Sequence, residues 1–147
     1  MDLRTLILGG GHQWHGNPPA SDEDIAELVA TSPVPLPTEY LELLRLSDGG
    51  HASLSGYPSY VRIWSSQIAI IYNRDYEVQK FAPKFIGFGD NGGPDMVGFD
   101  TRQGEPYSVC SIPFVPLELE SSMGQVPDFG VFIRQLLPVE NSLHPPN

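Results

Sequence analysis

The chain has one cysteine, Cys110, among its 147 residues. No disulfide can form within it, and a reducing compartment is expected. Bases are scarce as well: eight Lys and Arg stand against 18 Asp and Glu, for a formal net charge of −10. A chain this acidic is repelled by nucleic acid and by anionic membranes, so neither is an expected partner. Long apolar runs are missing. Leu6-Ile7-Leu8 is too small for the apolar part of a signal peptide, and no segment approaches the ~20 residues that span a bilayer. These absences lead to the expectation of a soluble, cytoplasmic protein.

Motifs that announce catalysis are also lacking. Gly9-Gly10-Gly11 follows an apolar run, but Trp14 stands where a phosphate-cradling loop needs its third glycine. His12 and His15 could share a metal only with further ligands that nothing identifies. Cys110 has no histidine near it in sequence, and in an alternating strand a lone cysteine reads as a small buried hydrophobe. Ser53 and Ser55 follow His51 without the G-x-S-x-G elbow. Asp90 and Asp95 could share a cation across one loop, yet the Ca²⁺-loop spacing is absent, and aspartates beside glycines commonly make turns. No catalytic residue, metal or cofactor is expected.

What is present is turn-forming. Glycine and proline number 15 each, well above their usual combined share of about 12 %, which favours short elements over a long helical bundle. The acid is unevenly spread: residues 1–60 carry −6, residues 61–104 balance, and residues 105–147 carry −4. Residues 1–20 read as a flexible leader containing a candidate strand at Thr5–Leu8. Ser21 caps a helix with Ile25, Leu28 and Val29 on one face, stopped by Pro33. A second helix begins at Pro37, carries Tyr40, Leu41, Leu43, Leu44 and Leu46, and ends at Asp48-Gly49-Gly50.

Further on, Tyr60–Trp64 alternates as a strand. Ser65–Tyr72 suits a strand through Ile68, Ile70 and Ile71 or a short helix capped by Ser65; Trp64-Ser65-Ser66, reading as strand end plus cap, favours the helix. Phe85–Gly89 and Met96–Asp100 flank the hexapeptide Asp90–Asp95, which predicts an antiparallel hairpin with a six-residue loop. Ile86 with Phe88, and Val97 with Phe99, can each turn to one face. Pro106–Ile112 is a further strand, and Asp128 caps a last helix through Leu137. The expected domain spans 21–138, with 139–147 fraying. The fold class is α+β: a largely antiparallel sheet with two N-terminal helices and one C-terminal helix packed on it.

Four segments together resemble the SUKH superfamily, whose best-known branch is the SMI/KNR-type cell-wall assembly regulator domain. They are Leu36–Gly50 (LPTEYLELLRLSDGG), Arg62–Tyr76 with Trp64, Asn73 and Tyr76, the hairpin FIGFGDNGGPDMVGFD, and Asp128–Leu137 (DFGVFIRQLL). Pro94 departs from the pattern, standing where a further glycine is usual. The resemblance implies an α+β fold without known catalytic residues, and many bacterial members look like immunity proteins that neutralise a polymorphic toxin, often a nuclease. Joined to the net charge, it points to a basic protein partner met by Asp48, Asp90 and Asp95 in loops, with Tyr57 and Tyr60 beside them. The competing expectations are a regulatory or scaffold module with a cellular protein partner and, last, a small metal-dependent hydrolase.

Overall fold

A computed structural model describes residues 1–139. Its centre is the hairpin of β4 (Phe85–Asp90) and β5 (Asp95–Asp100). Asp90 and Asp95 belong to the strands, so the loop is Asn91–Pro94 and not the expected hexapeptide. The Asn91 side chain holds that loop, accepting from the Gly93 and Asp95 N–H groups at 3.0 and 3.2 Å. Flanking the hairpin are β3 (Tyr60–Ile63), β2 (Gly50–Ser53) and β1 (His15–Gly16) on one side, and β6 (Ser108–Pro113) and β7 (Met123–Val126) on the other. All seven pair antiparallel in chain order. Fold class and sheet character agree with the sequence reading.

Residues directly opposite one another in such a sheet share a face. One row runs His15, His51, Arg62, Asp90, Met96, Ile112; its neighbour runs Gly16, Gly50, Ile63, Gly89, Val97, Ser111. The second row lies on the inner face, where Ile86, Phe88, Val97 and Phe99 all turn. A register shift between Gly87 and Gly89 marks a bulge at Phe88. On this face Phe88 lies 4.7 Å from Phe99, and both approach Tyr40 and Phe129 at ring separations of 5.4 to 6.1 Å. Four fully buried rings from four elements thus form the core.

Tyr40 belongs to α3 (Thr38–Leu46) and Phe129 to α6 (Phe129–Ile133). The Asp128 side chain caps α6 by accepting from the Val131 N–H at 2.8 Å. This helix is shorter than expected, because residues 135–137 instead pair with 53–55: Ser55 N–H donates to Gln135 O and Leu137 N–H to Ser53 O. Ser21 caps α2 (Asp22–Thr31), as the sequence indicates. Thr5–Leu8 is corrected from strand to helix, since α1 covers Leu3–Leu8 with Asp2 as its cap. Leu3, Leu6 and Ile7 fall at helical spacing and are buried, and α1 packs on α3. The residues read as a leader therefore lie against the domain. Of the tail, Val139 bonds to Gly11 O, and residues 140–147 lie outside the described residues.

Helix α4 (Ser66–Asp75) takes the helical alternative for its stretch, capped by Ser65, and the short α5 (Val78–Phe81) follows. Beyond Ile63 the edge of β4 loses its strand partner, and α4 supplies the missing bonds. Asn73 Oδ1 accepts from the Gly87 N–H at 3.0 Å while its Nδ2 donates to Gly87 O at 2.8 Å. One side-chain amide thus mimics a strand neighbour. Gly87 has no room for a side chain: a Cβ would stand 2.5 Å from Met96 Sδ and 3.2 Å from the Trp64 ring.

Candidate binding face

The outer sheet face carries an aromatic ladder, two of whose rings stand on α4 and its C-terminal cap. Trp64 packs on Gly87 and Met96 and meets Tyr72 at 4.9 Å; Tyr72 meets Tyr76 at 5.8 Å, and Tyr76 meets Phe114 at 5.0 Å. A second run joins it across β1–β3: His15 stacks on His51 at 4.9 Å, and His51 lies 6.0 Å from Tyr60. Between the two runs is a cavity of about 340 Å³ lined by His51, Arg62, Trp64, Ile68 and Tyr72. Tyr76 remains 41 % exposed, so this face offers a large ring to solvent.

Asp90 stands at the middle of the face but is only 4 % exposed. Its Oδ2 accepts from Trp64 Nε1 at 2.8 Å and from Arg62 Nε at 3.2 Å, and its Oδ1 accepts from the Gly92 N–H at 2.8 Å. Asp90 in turn raises the Arg62 pKa, through that hydrogen bond first and its charge second. Asp95 is also buried, accepting from Asn91 Nδ2 at 3.2 Å, with the Tyr57 hydroxyl at 3.5 Å. Asp48 is engaged elsewhere: it accepts from the Ser66 N–H at 2.7 Å and so caps α4. Its neighbour Gly49, at φ +83°, turns the chain where a Cβ would lie 2.5 Å from Ile63 O.

Four of the five residues singled out in the sequence, Tyr57, Tyr60, Asp90 and Asp95, therefore gather around the hairpin loop, and Asp48 does not join them. The Tyr60 ring lies over Gly92, and Tyr57 packs on Gly124 of β7. The three carboxylates are held by internal donors, whereas the tyrosines keep accessible surface. His15, His51, Arg62, Tyr72 and Tyr76 are not among the partner contacts the sequence suggests. Arg62 was accessible to sequence reasoning, since Tyr60, Arg62 and Trp64 share one phase of an alternating strand. The histidine pair was not, because it depends on register between β1 and β2.

Burial, followed by the charge of Asp100, pushes the Cys110 thiol up to about 12, so at neutral pH it is a protonated core side chain. Among the described residues no three His, Cys, Asp or Glu side chains converge as a metal site, and no helix is long and apolar enough to cross a membrane. The chemistry on offer at the outer face is association, through rings, one guanidinium and two imidazoles.

Antiparallel sheet, flanking helices and an aromatic outer face define an α+β domain. A family model described as the SMI1/KNR4 family (SUKH-1) matches residues 19–135, and the chain belongs to that family. The comparison with curated proteins gave no match.

Proposed function

We propose that this SUKH domain is a non-enzymatic immunity protein that binds and neutralises a cognate basic toxin, such as a nuclease, in the cytoplasm. The observation that carries the reading is the outer face: tyrosines, a tryptophan and an arginine around a cavity, on a chain whose net charge is −10. Trp, Tyr and Arg are the side chains that dominate interface energetics. The surplus acid elsewhere draws a basic partner in and raises the association rate. Tyr57 and Tyr60 are the proposed partner contacts. Asp90 and Asp95 act behind them by holding the hairpin loop, and Asp48 by holding α4.

Co-expression with the product of the adjacent gene tests the reading. Rescue of growth and co-purification of a basic protein are expected. Tyr60→Ala should weaken that complex about 30-fold, the worth of a hot spot of roughly 2 kcal/mol, without lowering thermal stability by more than a few degrees. Failure to rescue, with no basic partner co-purifying, overturns the proposal.

A further inference from the structure

The cavity on the outer face carries a local charge opposite in sign to that of the chain. No Asp or Glu lines it, although acids outnumber bases 18 to eight in the sequence. Arg62 is its fixed charge, set among Trp64, Ile68 and Tyr72, with His51 beside it. His51 stands directly opposite Arg62 in the sheet register, and His15 stacks on His51 from the next strand at 4.9 Å.

The guanidinium is also held in place. Arg62 Nε donates to Asp90 Oδ2 at 3.2 Å, and Asp90 is buried and fixed in turn by the Trp64 indole and the Gly92 N–H. That contact uses Nε and leaves the end-on edge formed by Nη1 and Nη2. Among the described residues no acceptor bonds to either of these nitrogens. The two N–H groups along such an edge match the two oxygens of a carboxylate. Because Asp90 orients the guanidinium beforehand, less ordering remains to be done on binding.

Charge decides between the candidate occupants. A cationic side chain would face Arg62 with no acid in the cavity lining to offset it. A phosphate dianion would approach a chain of net charge −10 to meet one guanidinium already shared with Asp90. A single carboxylate matches a single, shared guanidinium. From this geometry we infer that the cavity is the socket for one acidic side chain of the protein partner, gripped end-on by Arg62. The inference rests on the partner-face reading proposed above and sharpens it: a partner that is basic overall places one acid at the centre of the contact. A base at that point is rejected, so the socket selects among basic partners.

The test uses the peptide acetyl-Glu-Phe-amide and its Gln and Lys counterparts, which differ only in the side chain offered and carry no terminal charge. They are titrated into the full chain at low ionic strength and followed by amide chemical shifts. Shifts at Gly50, Ile63 and Ser65, which line the cavity, are expected with affinity falling in the order Glu, Gln, Lys. Glu should be favoured over Gln about fivefold, the upper worth of an ion pair to a guanidinium 59 % exposed. Arg62→Gln should erase that preference, and Arg62→Lys, which keeps the charge without the fork, should retain only part of it. Both variants change an exposed side chain and should keep the parent's fold, which their amide spectra check. Lys bound as tightly as Glu, a Glu preference that survives Arg62→Gln, or no shifts at these amides with the Glu peptide overturns the inference. Inorganic phosphate binding there more tightly than the Glu peptide would assign the cavity to a phosphate ligand, and would also overturn it. Failed rescue in co-expression with the Glu preference intact overturns the toxin reading alone and leaves the socket to another protein partner.

Discussion

Replacing Asp90 by alanine separates a scaffold role from an interface role for the hairpin acid. The substitution removes three hydrogen bonds, and each donor fares differently. Trp64 is 3 % exposed, so its indole N–H is left buried without a partner, at about 1–3 kcal/mol. The Gly92 N–H is in an exposed turn and can turn to water, which limits its loss to about 0.5–1 kcal/mol. Arg62 is 59 % exposed, so its ion pair is worth at most about 1 kcal/mol. The expected destabilisation is about 2–4 kcal/mol, most of it from the indole. In urea, with a slope of about 1–3 kcal/mol per molar, the midpoint should fall by roughly 1–2 M. Trp64→Phe removes the stranded donor. In the Asp90→Ala/Trp64→Phe double variant the cost of losing Asp90 should therefore shrink, with a coupling of about 1–2 kcal/mol. Asp90→Ala within 0.5 kcal/mol of the parent, or a coupling near zero, would refute this account.

Two further outcomes are expected. Asn73→Ala strips both bonds from Gly87 and should cost about 2–4 kcal/mol, with faster hydrogen exchange at the Gly87 amide as the local signature; slow exchange retained there would refute the strand-mimic role. For Asp100, burial pushes the pKa up but bonds from Arg102 outweigh it, leaving the folded value below the ordinary one. Its stabilising effect is then complete above the unfolded pKa of about 3.9 and is lost as the pH falls through the lower folded value. Asp100→Asn should accordingly flatten the stability profile below about pH 4 and lower stability at neutral pH, as read from urea midpoints across pH 2–7.

Elements whose signals are local were legible from residue order. Ser21 and the Asp22-Glu23-Asp24 turn mark the start of α2, and Asp48-Gly49-Gly50 marks the end of α3, because caps act within three or four residues. Leu6-Ile7-Leu8 misled because an apolar triplet carries no period; the buried trio Leu3, Leu6, Ile7 at i, i+3, i+4 only emerges when Leu3 is included. Strands β2 and β7, reading GHAS and MGQV, hold too few apolar residues to announce themselves, and they are strands because β3 and β6 supply their bonds. The same limit governs the outer face. Acids beside glycines look exposed in sequence, but Trp64 lies 26 residues from Asp90 and makes it a buried acceptor.

The residues that carry the family resemblance share one mechanical task, which bears on where specificity can reside. Asp48 caps α4, Gly49 lets the chain pass close to Ile63, Trp64 bonds to Asp90, and Asn73 closes the bare edge at Gly87. Asn73 fastens α4 to the sheet and Asp48 holds its start, and these bonds, with Trp64 anchored on Asp90, set the Trp64–Tyr72–Tyr76 ladder on the outer face. A change at any of them disturbs stability and the face together. Tyr60 and His51 take no part in this fastening, yet they lie on the same face. Substitutions at these positions should change the outer face while leaving the bonds of Asp48, Trp64 and Asn73 in place.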